Sequence, residues 1–92
     1  MDNIKKIVAE VNRVSVEDID NKVFTKPVKR ARKMFYTLVC HTTGDSIQKV
    51  AKQLGITAER ARKAVHTHRE AWMNDIDYKA DYERIKSMVW TS

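Results

Sequence analysis

Hydrophobic residues recur along this chain at the three- and four-residue spacing of α-helices. Ile4, Ile7, Val8 and Val11 occupy positions i, i+3, i+4 and i+7, which lie on one face of a helix over residues 4–12. A half-buried strand alternates polar and apolar residues, and no segment of the chain sustains that alternation for more than a few residues. The pattern therefore predicts an all-α fold.

Residues that begin and end helices divide the chain further. Ser15, followed by acidic residues, predicts an N-cap and a short helix, and Pro27 predicts the start of the next helix because proline is favoured in the first helical turn. The stretch TTGD (42–45) ends that helix, and Asp45 with Gln48 resembles a capping box for the following one. The predicted buried stripe of the helix that starts at Pro27 consists of Val28, Ala31, Phe35, Leu38 and Val39.

The stretch SIQKVAKQLGITAERARKAV (46–65) has the pattern of a helix-turn-helix. A short helix ends at Gly55, where glycine can adopt the left-handed conformation that terminates a helix, and a second helix begins after Thr57. Small residues allow the two helices to approach closely, namely Ala51, Ala61 and Ala64. Such a motif occurs in DNA-binding proteins and also in ordinary helical hairpins.

The C-terminal part of the chain continues the helical pattern. The second helix of the motif is predicted to end near Asn74 and Asp75. The side chains predicted to face the core are Ala61, Ala64, Val65, His68 and Trp72. A last amphipathic helix is predicted from Tyr78, Tyr82, Ile85 and Val89. This tail, residues 73–92, either packs on its own domain or forms a surface for a homodimer or another protein partner. Packing is favoured because a small core gains from it.

Length and composition fit one small helical domain over residues 1–92, of which 42% are hydrophobic. The single cysteine, Cys40, excludes an internal disulfide and suits a reducing compartment. No apolar run approaches the roughly 18 residues of a membrane span, and no apolar region of a signal peptide follows the first residues. We expect a compact cytoplasmic domain with no membrane partner.

Positive charge is concentrated in the middle of the chain. The net charge is +6, but residues 21–70 hold twelve Lys and Arg against three acidic residues, while both flanks are mildly acidic. Four cations occupy the start of the helix at Pro27, where the helix dipole disfavours each by roughly a few tenths of a kcal/mol. This electrostatic cost brings no evident benefit to folding and therefore indicates a function. The expected partner is a polyanion such as double-stranded DNA.

Three stretches resemble the C-terminal DNA-binding domain of the bacterial replication initiator DnaA, namely VSVEDI (14–19), KPVKRARKMFYTLV (26–39) and SIQKVAKQLG (46–55). The similarity covers about residues 4–72. It implies a helix-turn-helix protein of bacterial or phage origin that binds double-stranded DNA in replication or transcription regulation. It also implies that Arg30 enters the minor groove, while the helix after Gly55 enters the major groove.

The signature of that family is absent from this chain. The family's major-groove helix opens with Asp-His-Thr-Thr, and the matching positions here hold Thr57, Ala58, Glu59 and Arg60. The resemblance therefore does not imply the initiator's target sequence, and no Gly-rich phosphate loop of its ATPase module is present. Two function classes remain. One is a duplex DNA-binding module, and the other is a protein-interaction domain that kept the scaffold and lost base reading.

The candidate DNA-binding residues form two groups. Outward positions of the second helix are expected to meet base edges, namely Thr57, Ala58, Glu59, Arg62, Lys63 and His66. Arg60 or Arg62 can hold a guanine through two hydrogen bonds, and Glu59 either accepts from a cytosine amine or stabilises the helix start. Phosphate contacts are expected from Lys26, Lys29, Arg32, Lys33, Lys49 and Lys52.

Enzymatic and metal-binding chemistry find no support in the sequence. Cys40 and His41 are adjacent on a predicted helix, so their side chains diverge and form no dyad. The three histidines and one cysteine lack the spacing of a zinc site. The stretch NDIDYKAD (74–81) lacks the glycine and the terminal Glu of a calcium loop. We therefore expect no catalytic residue, no metal and no cofactor.

Overall fold

Six helices make up the part of the chain that the computed structural model describes, residues 2–91. Met1 and Ser92, the ends of the predicted domain, lie outside the described residues. The helices are α1 (Asp2–Asn12), α2 (Val16–Asp20), α3 (Lys26–Thr43), α4 (Ile47–Leu54), α5 (Ala58–Asn74) and α6 (Ile76–Thr91). The predicted all-α fold is confirmed. None of these helices is both long enough and apolar enough to cross a membrane.

Helix α3 lies at the centre of the fold, because α1, α2, α4 and α5 all pack against it. Its side chains are buried without interruption over residues 34–39, and the whole predicted stripe of α3 is buried. Cys40 follows this segment and is half-buried, and burial raises the pKa of its thiol. A raised pKa disfavours the thiolate, which is the reactive form of a cysteine.

Helix α6 packs against α1 and α5, so the C-terminal helix belongs to the core of its own domain. Tyr78, Tyr82 and Ile85 are buried there, as their spacing predicted. The two phenol groups are also hydrogen-bonded, because Tyr78 OH lies 2.7 Å from His68 Nδ1 and Tyr82 OH lies 3.1 Å from His41 Nδ1. These bonds satisfy polar groups that would otherwise be costly to bury.

The connection between α4 and α5 has the predicted helix-turn-helix geometry. Gly55 ends α4 with a φ of +70°, in the left-handed region. Thr57 then caps α5, because its hydroxyl accepts a hydrogen bond from the Arg60 backbone N–H at 3.1 Å. Ala51 and Ala61 are buried, which lets the two helices pack closely.

The N-cap of α4 differs from the prediction. Ser46, and not Asp45, caps the helix, since its hydroxyl accepts from the Lys49 backbone N–H at 3.2 Å. Asp45 still belongs to the turn that leaves α3, because its own N–H donates to the Thr43 hydroxyl at 3.2 Å. Its carboxylate lies 3.4 Å from the Lys49 ammonium instead of forming a capping box.

Replacing Gly55 with valine is expected to lower the free energy of unfolding by about 1–2 kcal/mol. A Cβ at this residue would meet no atom within 4 Å, so the cost arises from the left-handed backbone and not from a clash. Gly55→Asn is the matched control and should lose much less, because asparagine tolerates this conformation. Urea unfolding followed by circular dichroism measures both variants. Equal stability of Gly55→Val and the unsubstituted protein would contradict the assigned turn.

The buried imidazole of His68 makes stability depend on pH. Burial, followed by the nearby positive charges of His41, Lys33 and Arg69, lowers the pKa of His68 to about 4. The unfolded chain takes up this proton near pH 6.5, so the unfolded state binds more protons between the two pKa values. The stabilising contribution of neutral His68 is therefore complete above about pH 6.5 and is lost as the pH falls towards 4.

Urea unfolding at about pH 7 and pH 5 measures this effect. The unsubstituted protein should lose about 1–2 kcal/mol more than His68→Gln over this interval, because the variant lacks the titrating group. The acidic residues that titrate in the same range are common to both proteins and cancel in the difference. Identical losses in the two proteins would show that the pKa of His68 is not depressed.

Candidate nucleic-acid interface

The basic start of α3 and the first half of α5 lie side by side and form one groove. This α3–α5 groove has a volume of about 410 Å³. Four of its cations are Lys29 and Lys33 from α3 and Arg60 and Lys63 from α5, each pair being spaced so that it shares one helix face. Arg32 of α3 also lines the groove, so the structure brings together five of the predicted DNA-binding residues from two separate segments of the chain.

Apart from Arg32, the cations of the α3–α5 groove form few interactions with other residues of the protein. Lys29, Arg60 and Lys63 are exposed, and among the described residues no carboxylate lies within ion-pair distance of them. Lys33 is half-buried, with its ammonium 5.6 Å from the centroid of the Tyr78 ring. Cations on rigid helices without acidic partners are suited to hold phosphate groups.

Two uncharged residues of the α3–α5 groove were not predicted. Tyr36 and Thr67 line it beside the cations. Helical spacing contains the signal, because Thr67 lies four residues after Lys63 and Tyr36 lies three residues after Lys33.

The remaining predicted residues of α5 differ in what their side chains already bind. Arg62 is exposed and has no acidic partner among residues 2–91, whereas exposed His66 places Nε2 2.8 Å from Glu70 Oε1. The Thr57 hydroxyl is used by the helix cap, and Ala58 is half-buried. Glu59, also exposed, lies in the first turn of α5, where a carboxylate stabilises the helix dipole. Arg62 is thus, like Arg60 and Lys63, an exposed cation of α5 with no acidic partner in the described part of the chain.

The other predicted phosphate ligands lie outside the α3–α5 groove. Lys26 is exposed at the start of α3, and Lys52 is exposed in the last turn of α4. Lys49 is also exposed but lies near the Asp45 carboxylate. These lysines are separate charged positions on the surface.

Arg32 has a structural role, which corrects its prediction as a phosphate ligand. The residue is only 7% exposed. Its guanidinium donates four hydrogen bonds of 2.7–3.1 Å to the backbone carbonyls of Asp18, Ile19, Asn21 and Val23. These bonds hold the end of α2 and the following loop against α3. Although Arg32 borders the groove, its guanidinium is hydrogen-bonded to backbone carbonyls of its own chain.

Arg30 links three helices. Its Nη1 donates to Asn12 Oδ1 of α1 at 2.8 Å, and its Nη2 donates to Asp81 Oδ2 of α6 at 2.9 Å. The guanidinium also lies 5.3 Å from the centroid of the Tyr78 ring. Insertion into a minor groove, as the DnaA resemblance implies, would break both hydrogen bonds. The geometry therefore favours a structural role for Arg30.

Replacing Arg32 with lysine is expected to lower the free energy of unfolding by about 2 kcal/mol or more, since one ammonium cannot satisfy four carbonyls spread along a loop. Lys29→Gln is the control, because this exposed change should stay within about 0.5 kcal/mol. Thermal unfolding without DNA measures both variants. A stability of Arg32→Lys equal to that of the control would contradict the structural role.

Known proteins do not identify the family of this chain. Neither a protein-family model nor a curated protein matches it significantly. The resemblance to the DnaA domain therefore stays a prediction that depends on the three quoted stretches.

Proposed function

We propose that this protein is a double-stranded DNA-binding module. It holds a phosphate backbone in the α3–α5 groove and presents α5 to the major groove. The observation that supports this proposal is the juxtaposition of two basic segments in one groove. Lys29 and Lys33 face Arg60 and Lys63 there, with no acidic partner for the three exposed cations in the described part of the chain.

The helix-turn-helix gives this surface an orientation on DNA. In such proteins the second helix lies in the major groove with its N-terminal residues at base edges, and the first helix crosses the backbone. Helix α5 is the second helix here and begins at Ala58, directly after its N-cap Thr57, and its N-terminal half carries Arg60, Arg62 and Lys63. Exposed Lys52 on α4 is correspondingly placed to meet phosphate.

The same cations make the expected affinity steeply dependent on salt. Each phosphate that a cation neutralises contributes about −0.9 to the slope of log K against log salt. If the four groove cations each neutralise one phosphate, the slope is roughly −3 to −4. Fluorescence anisotropy with a mixed-sequence duplex, from about 50 to 200 mM salt, measures this slope. Absence of binding at the lowest salt would refute the proposal.

The alternative is a protein-interaction domain on the same scaffold. Met73 and Ile76, at the junction of α5 and α6, favour it because they are 71% and 84% exposed. Apolar side chains at such exposure fit a protein interface better than a nucleic-acid backbone. This alternative predicts negligible duplex binding and a partner that covers the α5–α6 junction.

Arg62 and Lys52 are expected to affect DNA binding differently. Arg62→Gln should remove the sequence preference at one base pair, a discrimination between bases of about 1–3 kcal/mol. Non-specific binding should largely persist in this variant. Lys52→Gln should weaken all sequences alike and reduce the salt slope by about one unit. Binding profiles of both variants over a library of duplexes at fixed salt distinguish the two roles. If both variants scale every affinity down equally, α5 holds DNA without reading its sequence.

A further inference from the structure

The two ends of α5 carry different surfaces. Helix α5 has 17 residues, so it is about 25 Å long and spans nearly the whole domain, whose Cα atoms extend over 28 × 27 × 27 Å. Its C-terminal end leads into the α5–α6 junction, where Met73 and Ile76 are exposed. Its N-terminal end, at Arg60, adjoins a second cavity, which we name the turn pocket. The junction and the turn pocket therefore lie on opposite sides of the molecule.

The turn pocket is bordered by apolar side chains that remain accessible. It has a volume of about 530 Å³ and lies between the α2–α3 loop, α3 and the turn of the helix-turn-helix. Phe24 of the loop is 59% exposed. Leu54 and Ile56, on either side of Gly55, are half-buried. A concave surface of this kind can receive apolar side chains of another molecule.

The turn pocket also has unpaired positive charge. Lys22 and Arg60 line it and are exposed, and among residues 2–91 no carboxylate lies within ion-pair distance of either. The acidic residue of the lining, Asp20, is already paired, because its carboxylate lies 2.8 Å from the Lys5 ammonium. Two cations of the pocket therefore remain available to an acidic partner.

The α5–α6 junction has the complementary properties. Residues 70–77 contain three acidic residues and no Lys or Arg. Two of the acids, Asp75 and Asp77, flank Ile76, are exposed and form no ion pair in the described part of the chain. Asp75 accepts one hydrogen bond, from the Tyr78 backbone N–H at 3.1 Å, which leaves its negative charge unpaired. The junction thus presents a projecting apolar side chain between two carboxylates.

We propose that copies of this protein associate head to tail, with the α5–α6 junction of one copy seated in the turn pocket of the next. Ile76 packs against Phe24 of the neighbouring copy, and the carboxylates of the junction lie beside Lys22. The two surfaces are complementary in both polarity and charge. Each copy contributes a different surface, so the contact is heterologous and builds a ring or an open chain instead of a symmetric dimer. The association does not depend on the proposed DNA binding.

The contact is expected to be weak. Two exposed apolar side chains and a few charges cover much less than the roughly 1,200–2,000 Å² of a stable protein interface. Association should therefore become visible only at high protein concentration. It should also weaken as salt is added, because the charges on both surfaces are exposed and screened by ions.

Two variants that each lack one surface test the proposal. Phe24→Ser alters the turn pocket, and Ile76→Ser alters the junction. Sedimentation equilibrium up to millimolar protein measures the average mass, which should rise with concentration for the unsubstituted protein. Each variant alone should lose at least tenfold in association constant. Their equimolar mixture should regain the original constant and stop at a one-to-one dimer, because the intact junction of one variant fits the intact pocket of the other.

Trp90→Ser is the matched control, because it removes an apolar side chain that is 58% exposed in the last turns of α6, away from both surfaces. This variant should associate like the unsubstituted protein. Circular dichroism checks the helices of every variant, and Lys22→Glu takes the place of Phe24→Ser if that variant unfolds. An unsubstituted protein or a mixture that stays monomeric would overturn the proposal. An equal loss in Trp90→Ser would do so too, because the association would then be non-specific.

Discussion

The burial of α3 is the constraint on which the rest of the structure depends. Its side chains are buried over residues 34–39, and four helices pack around it. A helix enclosed in this way cannot tilt independently of its neighbours, because close-packed interiors leave no room for it to move. Lys29 and Lys33 at its start are consequently held at a fixed place relative to Arg60 and Lys63 of α5. The core thus positions the charges of the α3–α5 groove.

The cationic run at the start of α3 combines two roles that its sequence does not distinguish. Arg30 and Arg32 direct their guanidinium groups to partners inside the fold, whereas Lys29 and Lys33 line the groove. This division follows from chemistry, since a planar guanidinium can satisfy several acceptors at once and an ammonium is a compact point charge. Part of the electrostatic cost at this helix start therefore does bring a folding benefit. The positive charge that remains without an intramolecular partner is smaller than the composition indicates.

Local features of the sequence predicted the helices and the turn, because helical period and the left-handed conformation at Gly55 depend on neighbouring residues. The partners of the arginines could not be predicted in this way. Asp81 lies 51 residues from Arg30, and the Arg32 bonds go to carbonyls, which carry no sequence signal. Ser46 caps α4 in place of the predicted Asp45. The conformation of the turn determines which of two neighbouring residues becomes the N-cap, and the sequence pattern does not define that conformation to within one residue. Charge identified the cations of the candidate site, but tertiary packing decided which of them face each other.

The most direct test of a DNA-binding groove compares two double variants that remove the same charge. Lys29→Gln with Lys63→Gln alters the α3–α5 groove, while Lys6→Gln with Arg84→Gln alters exposed positions of α1 and α6 outside it. Affinity for one mixed-sequence duplex is measured for both across a salt series. The groove pair should lose about two units of salt slope, and the control pair should keep nearly the original slope. Equal losses in the two pairs would show that net charge, and not the groove, attracts DNA.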